Sequence, residues 1–170
     1  TQSRSSAASD VYKRQYLTLA NLCFMQEDYQ EMADAAQKAI ALEEGNAMAH
    51  YLLGKANHGL DNGIMTIAHL TKAIVLKDDF TEARLLRAEA LYKMQQFAEA
   101  MEDIEAILAQ NPDEEAALLL RGKIKEATGK EEEAETDYLH VTEINPFNEQ
   151  AYLYLCLLYT SDAADDLLCV

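Results

Sequence analysis

Two arginines and two aspartates recur at a fixed step. Arg87 stands sixteen residues before Asp103, and Arg121 stands sixteen before Asp137. The same two places hold Leu19 with Ala35, and Leu53 with His69, earlier in the chain. Arginine enters an otherwise apolar column only where an aspartate enters with it. A guanidinium taken out of water needs a partner, and its planar fork matches a carboxylate. Arg87 is therefore expected to meet Asp103, and Arg121 to meet Asp137, as structural ion pairs rather than as a ligand site. The other reactive residue types form no constellation. His50, His58, His69 and His140 fall on different faces with no i, i+4 pair, and Cys23, Cys156 and Cys169 have no metal-ligand spacing. The densest carboxylate run, Glu131-Glu132-Glu133-Glu135, reads as the first turn of a helix, where it complements the helix dipole. Phosphate loops, nucleophile elbows and HExxH patterns are lacking. No catalytic residue, metal site or cofactor is expected, and the chain reads as a non-enzyme.

The elements that position the Arg–Asp pairs follow from the same regularity. Ala20, Gly54, Ala88, Gly122 and Cys156 lie 34 positions apart, and the bulky residues keep that step. Ala39, Ala73, Ile107 and Val141 form one column, and Met32, Thr66, Ala100 and Ala134 another. Apolar periodicity places helices near 16–26, 29–43, 48–59, 64–77, 82–94, 97–110, 115–128, 131–144 and 149–158. Turns fall at Glu27-Asp28, Asp61-Asn62-Gly63, Gln95-Gln96 and Thr128-Gly129, and the only prolines, Pro112 and Pro146, punctuate the joins between units. Small residues in the Gly54 column let one helix approach its partner, and Leu70, Ile104 and Tyr138 fill the space opposite. Each helical pair is too small to bury its own face, so such pairs must stack.

With its period, its two helices per unit and its Asn-Pro joins, the chain resembles the tetratricopeptide repeat family over nearly its whole length. The resemblance implies an all-α, right-handed α-solenoid with repeats at 16–46, 47–80, 81–114 and 115–148 and a partial fifth from 149. It also implies a groove lined by the first helix of each repeat. Carried onto this sequence, the groove columns are Leu17, Tyr51, Leu85, Leu119 and Leu153; Asn21, Lys55, Glu89 and Lys123; and Phe24, His58, Tyr92 and Glu126. An apolar ridge beside mixed charge suits a peptide or helix of a partner protein. One subgroup grips chaperone C-termini through Lys, Asn, Asn, Lys and Arg. Here those places hold Leu17, Asn21, Leu52, Glu82 and Leu86, and only Asn21 matches. A dicarboxylate-clamp chaperone binder is not expected.

The two ends read differently. SSAASDVYKRQ (5–15) and CLLYTSDAADD (156–166) are encoded by opposite strands of one DNA word, the second shifted by one base. That word looks like a transposon-type sequencing-library adapter read through on both sides of an insert. Residues 1–15 and 156–170 are therefore expected to be adapter-derived scar flanking a native stretch at 16–155. The scar should make few contacts with the solenoid, although Leu157, Leu158 and Tyr159 continue the last helix by accident.

Charge narrows the partners. The chain carries 14 basic and 30 acidic residues, a formal net charge of −16. Such a field repels phosphate backbones, and no Lys/Arg stripe opposes it, so nucleic-acid binding is not expected. No apolar run reaches membrane-spanning length. With the natural N-terminus expected to be missing, cytoplasm and periplasm both stay open. The function expected is a protein–protein interaction scaffold that binds in its groove. The alternatives are a docking arm of a larger enzyme or sensor, or a self-associating structural module.

Overall fold

A computed structural model describes residues 2–168, with side chains from 9 to 160. Among the described residues the elements are helical throughout: α1 (Gln2–Met25), α2 (Tyr29–Leu42), α3 (Ala47–Gly59), α4 (Gly63–Leu76), α5 (Thr81–Lys93), α6 (Phe97–Gln110), α7 (Glu115–Ala127), α8 (Glu131–Ile144) and α9 (Glu149–Leu168). The fold is an all-α solenoid of helical repeats. Its helices gather into two compact units, Thr1–Gln96 and Phe97–Val170.

The hairpin turns repeat the sequence period in the backbone. Glu27, Asp61, Gln95 and Gly129 all take positive φ, between 57° and 75°, at the same step. Each ends a first helix in the left-handed conformation, which glycine adopts freely and other residues adopt at a cost. Side-chain caps then start the next helices. Asp28 accepts from the Glu31 amide at 3.0 Å, and Asn46 from the Ala49 amide at 2.9 Å. At the joins between repeats, Asn111 and Asn145 each accept from the amide two residues on, at 3.3 and 3.1 Å, folding the chain around the intervening proline.

In the first unit, α2 packs on α1 and α3, and α4 on α3 and α5. Its core comprises Ala20, Cys23, Met32, Ala36, Leu52 and Leu53, continued by Leu70, Ala73, Ile74, Phe80 and Ala83. In the second unit α7 packs on α6 and α8, and α8 on α9. Ile104, Leu118, Leu120, Ile124, Tyr138 and Val141 are buried there. Small residues set the helix spacing. A Cβ on Gly54 would lie 2.8 Å from Leu70 Cγ, and one on Gly122 would enter the ring of Tyr138. Glycine is required where α3 meets α4 and where α7 meets α8, because a side chain there would force the helices apart.

One expectation is corrected. The first helix does not start at Tyr16, because the Ser- and Ala-containing sequence upstream continues it as one α1. In that upstream stretch Lys13 Nζ lies 2.8 Å from Glu43 at the end of α2. At the other end α9 continues past 158, with Leu158 buried and the Tyr159 hydroxyl hydrogen-bonded to Glu135.

Candidate functional site

The Arg–Asp column is resolved most fully in the second unit. Arg121 sends a two-pronged contact from α7 to Asp137 on α8, with Nε to Oδ2 at 3.0 Å and Nη2 to Oδ1 at 2.6 Å. Lys125, one turn further along α7, places Nζ 2.9 Å from Asp137 Oδ2. The aspartate side chain is only 4% exposed, so two cations seal one carboxylate between the helices. In the first unit Arg87 donates to the Thr71 hydroxyl at 2.9 Å, tying α5 to α4. Asp103, on α6, is buried.

The groove residues expected from the sequence fall into distinct environments. On α3, Tyr51 is half-buried with its ring 4.9 Å from that of Phe80. Burial pushes its hydroxyl above the usual range, and Glu82 and Glu89 push it further. Lys55 Nζ lies 3.4 Å over the Phe24 ring of α1 and 5.9 Å from the Tyr51 ring. Burial lowers its pKa. His58 Nε2 accepts from the Lys93 ammonium of α5 at 3.3 Å. Burial lowers the His58 pKa, the Lys93 charge lowers it further, and Asp61 opposes both. Leu17, Leu85, Glu89 and Tyr92 are intermediate in exposure on α1 and α5. Asn21 is exposed, but its amide is spent on the Leu17 carbonyl of its own helix at 3.0 Å.

In the second unit, Lys123 Nζ stands 5.6 Å over the Tyr154 ring. Leu119, expected on the groove ridge, is only 7% exposed. So buried, it offers a partner little surface. Phe24, expected in the His58 column, carries Lys55. One participant lay outside the expected columns: Lys93, which carries His58. Lys93 follows Tyr92, and nothing in its own column (Met25, Gly59, Ala127) pointed to it.

No group of three His, Cys, Asp or Glu gathers to hold a metal ion among the described residues. Among them, too, no helix is long and apolar enough to cross a membrane.

Residues 85–149 match the family model described as Tetratricopeptide repeat. The chain is a tetratricopeptide-repeat protein. It is similar to the mouse DnaJ homolog subfamily C member 3, 30% identical over 124 residues covering 71% of this chain and 22% of that protein. The chain thus spans about a fifth of the length of the curated relatives it matches. Among solved structures it is similar to YrrB, described as a tetratricopeptide-repeat protein with an unusual peptide-binding site. The TM-score is 0.76 at 23% identity over 89% of this chain and 82% of that one. It is also similar to the first such domain of Spaghetti (RPAP3), bound to the HSP90 peptide SRMEEVD. There the TM-score is 0.64 at 26% identity, covering 69% of this chain and 93% of that one. The repeats of this tetratricopeptide-repeat protein thus share their fold with domains that hold peptides.

Proposed function

We propose that the chain is a non-catalytic scaffold that holds an apolar segment of a partner protein along the first helices of its repeats. The observation that carries this reading is the row of half-buried rings and aliphatic side chains on α1, α3 and α5. Leu17, Tyr51, Leu85 and Tyr92, with Phe24 beside them, present apolar surface that the unit's own core leaves partly uncovered. Such rings give large contact area at small entropic cost and make good binding anchors. Lys55, His58 and Glu89 border the row and set which polar groups a partner can bring. YrrB and the Spaghetti domain support a peptide as occupant. The four clamp positions that depart from the chaperone pattern argue against a terminal dicarboxylate as the anchor. The mouse relative, in which the matched stretch is a minor part, favours a docking arm within a longer protein.

The experiment is capture of binding proteins on the immobilised chain, with Tyr51→Ala and Leu85→Ala as companions after circular dichroism confirms both remain helical. The reading expects the captured set to be depleted for both variants. Retention of every partner by both would move the binding surface elsewhere on the molecule.

A further inference from the structure

The distribution of charge along the first unit is uneven. The chain holds 30 acidic residues against 14 basic ones, yet α3 has no carboxylate, and neither does α1 from Tyr16 to Met25. Helix α4 has none either, and the helical carboxylates after Tyr16 in this unit are Glu31 and Asp34 on α2 and Glu82 and Glu89 on α5. Within the acid-free zone sits Lys55. Its ammonium rests on Phe24 and near Tyr51, with no carboxylate in ion-pair distance among the described residues. Lys93, on the next first helix, donates to the His58 ring and has no carboxylate in ion-pair distance among the described residues. The Lys55 ammonium is thus held by an aromatic face and that of Lys93 by the ring nitrogen of a neutral acceptor, and both contacts leave part of the charge uncompensated. Glu82 and Glu89 on α5 act on Tyr51, whereas the lowering of the Lys55 pKa has burial as its cause.

Deepening the scaffold reading, and resting on it, we propose that the partner segment is apolar and acidic. Its aliphatic or aromatic anchors lie against Tyr51 and Leu85, and a carboxylate side chain reaches Lys55, with a second near Lys93. A strongly acidic protein repels acidic segments over most of its surface and admits an acidic side chain best beside Lys55, where α1 and α3 bring no carboxylate. A basic segment would find carboxylates on α2 and α5 and none beside Lys55. The contrast between the acid-free stretch of α1 and α3 and Glu82 and Glu89 on α5 therefore selects register as well as partner. An ammonium already stripped of part of its water loses less on pairing with a carboxylate than a fully hydrated one.

The test uses the full chain and an array of fluorescein-labelled twelve-residue peptides. They share scrambled Leu/Tyr/Ala frames and differ at two positions that are Glu, Gln or Lys. The proposal expects the Glu members to bind most tightly and the Lys members least. Lys55→Glu should weaken the Glu members about tenfold and reverse their ranking against the Lys members, in line with a charge pair worth several-fold at a partly desolvated site. Lys55→Met should erase the preference without reversing it. Equal binding of Glu and Gln members, or a ranking unmoved by Lys55→Glu, overturns the acidic partner. If that happens while Tyr51→Ala still abolishes binding, the scaffold reading stands alone. If no member binds, or binding survives Tyr51→Ala, the scaffold reading falls and takes this inference with it.

Discussion

The hairpins α3/α4 and α7/α8 occupy the same register, yet they close by different chemistry. Where α7 and α8 set Arg121 against a sealed Asp137, α3 and α4 carry Leu53, buried, and His69, half-buried and stacked on His50 with ring centroids 5.8 Å apart. His50 Nε2 donates to the Glu44 carbonyl at 3.0 Å, and its buried Nδ1 has no hydrogen-bond partner. Where Gly122 admits the ring of Tyr138, Gly54 admits the smaller Leu70. The turn of one hairpin is made by Gly129, that of the other by Asp61 at positive φ. One backbone therefore tolerates an ionic or an apolar seam, provided both members of a facing pair change together. The pair is the unit of compatibility, because a lone buried charge or an oversized ring has nowhere to go.

Breaking the ionic seam should have the largest effect. Asp137→Ala leaves Arg121 and Lys125 facing each other without their carboxylate, and should cost about 3 kcal/mol in urea unfolding. Combining it with Arg121→Leu imports the Leu19/Ala35 solution of the first hairpin and should recover most of that loss. Additive losses in the double variant would sink the pairing argument.

Gly122→Ala comes next, at about 2 kcal/mol, because the added methyl meets a rigid ring. Gly54→Ala should cost less, since Leu70 has rotamers to yield with. Replacing Tyr138 by Leu in the Gly122→Ala background makes α7/α8 resemble α3/α4 and should restore part of the stability. No rescue would mean that the ring is not what excludes the methyl.

Acid should then separate the hairpins. Burial lowers the His69 pKa from its usual 6.5, with His50 adding to the effect, and burial followed by Lys93 lowers that of His58. Between the usual and lowered values the unfolded chain binds more protons than the folded one. The stability tied to these histidines is therefore complete above pH 6.5 and is lost as pH falls through the folded values. The urea midpoint should drop between pH 7.5 and 5.5, and His69→Gln should flatten that drop. A midpoint slope unchanged in His69→Gln would remove His69 from the explanation.

The turns should give the smallest changes. Asp61→Gly relieves a left-handed residue and should gain up to about 1 kcal/mol, while Gly129→Ala should lose about as much. Thermal unfolding of both single variants checks the opposite signs.

Much of this architecture was legible in the sequence because a period of 34 is a physical constraint rather than a decoration. Stacked hairpins must present the same small and large residues at each step, so helices, turns and the Gly54 and Gly122 contacts could be read from columns. The groove residues were only partly legible. A column states which face a residue occupies, not how much of that face the next helix covers. Leu119 and Leu85 share a column, and Leu119 is buried whereas Leu85 is partly open. Lys55 and Glu89 share another, yet Lys55 lies across a ring of the preceding first helix.

The sequence by itself determined the repeat, its helical pairs and the rule that arginine and aspartate change together, because each follows from local periodicity and the cost of a lone charge. Only the tertiary structure decided that Lys125 joins Arg121 in sealing Asp137, and that Lys55 settles on Phe24. It also decided that Lys93 settles on His58. Those contacts join side chains of different helices through long, flexible stems. Their end points are fixed by what the neighbouring helices leave uncovered, which no column of a single chain records.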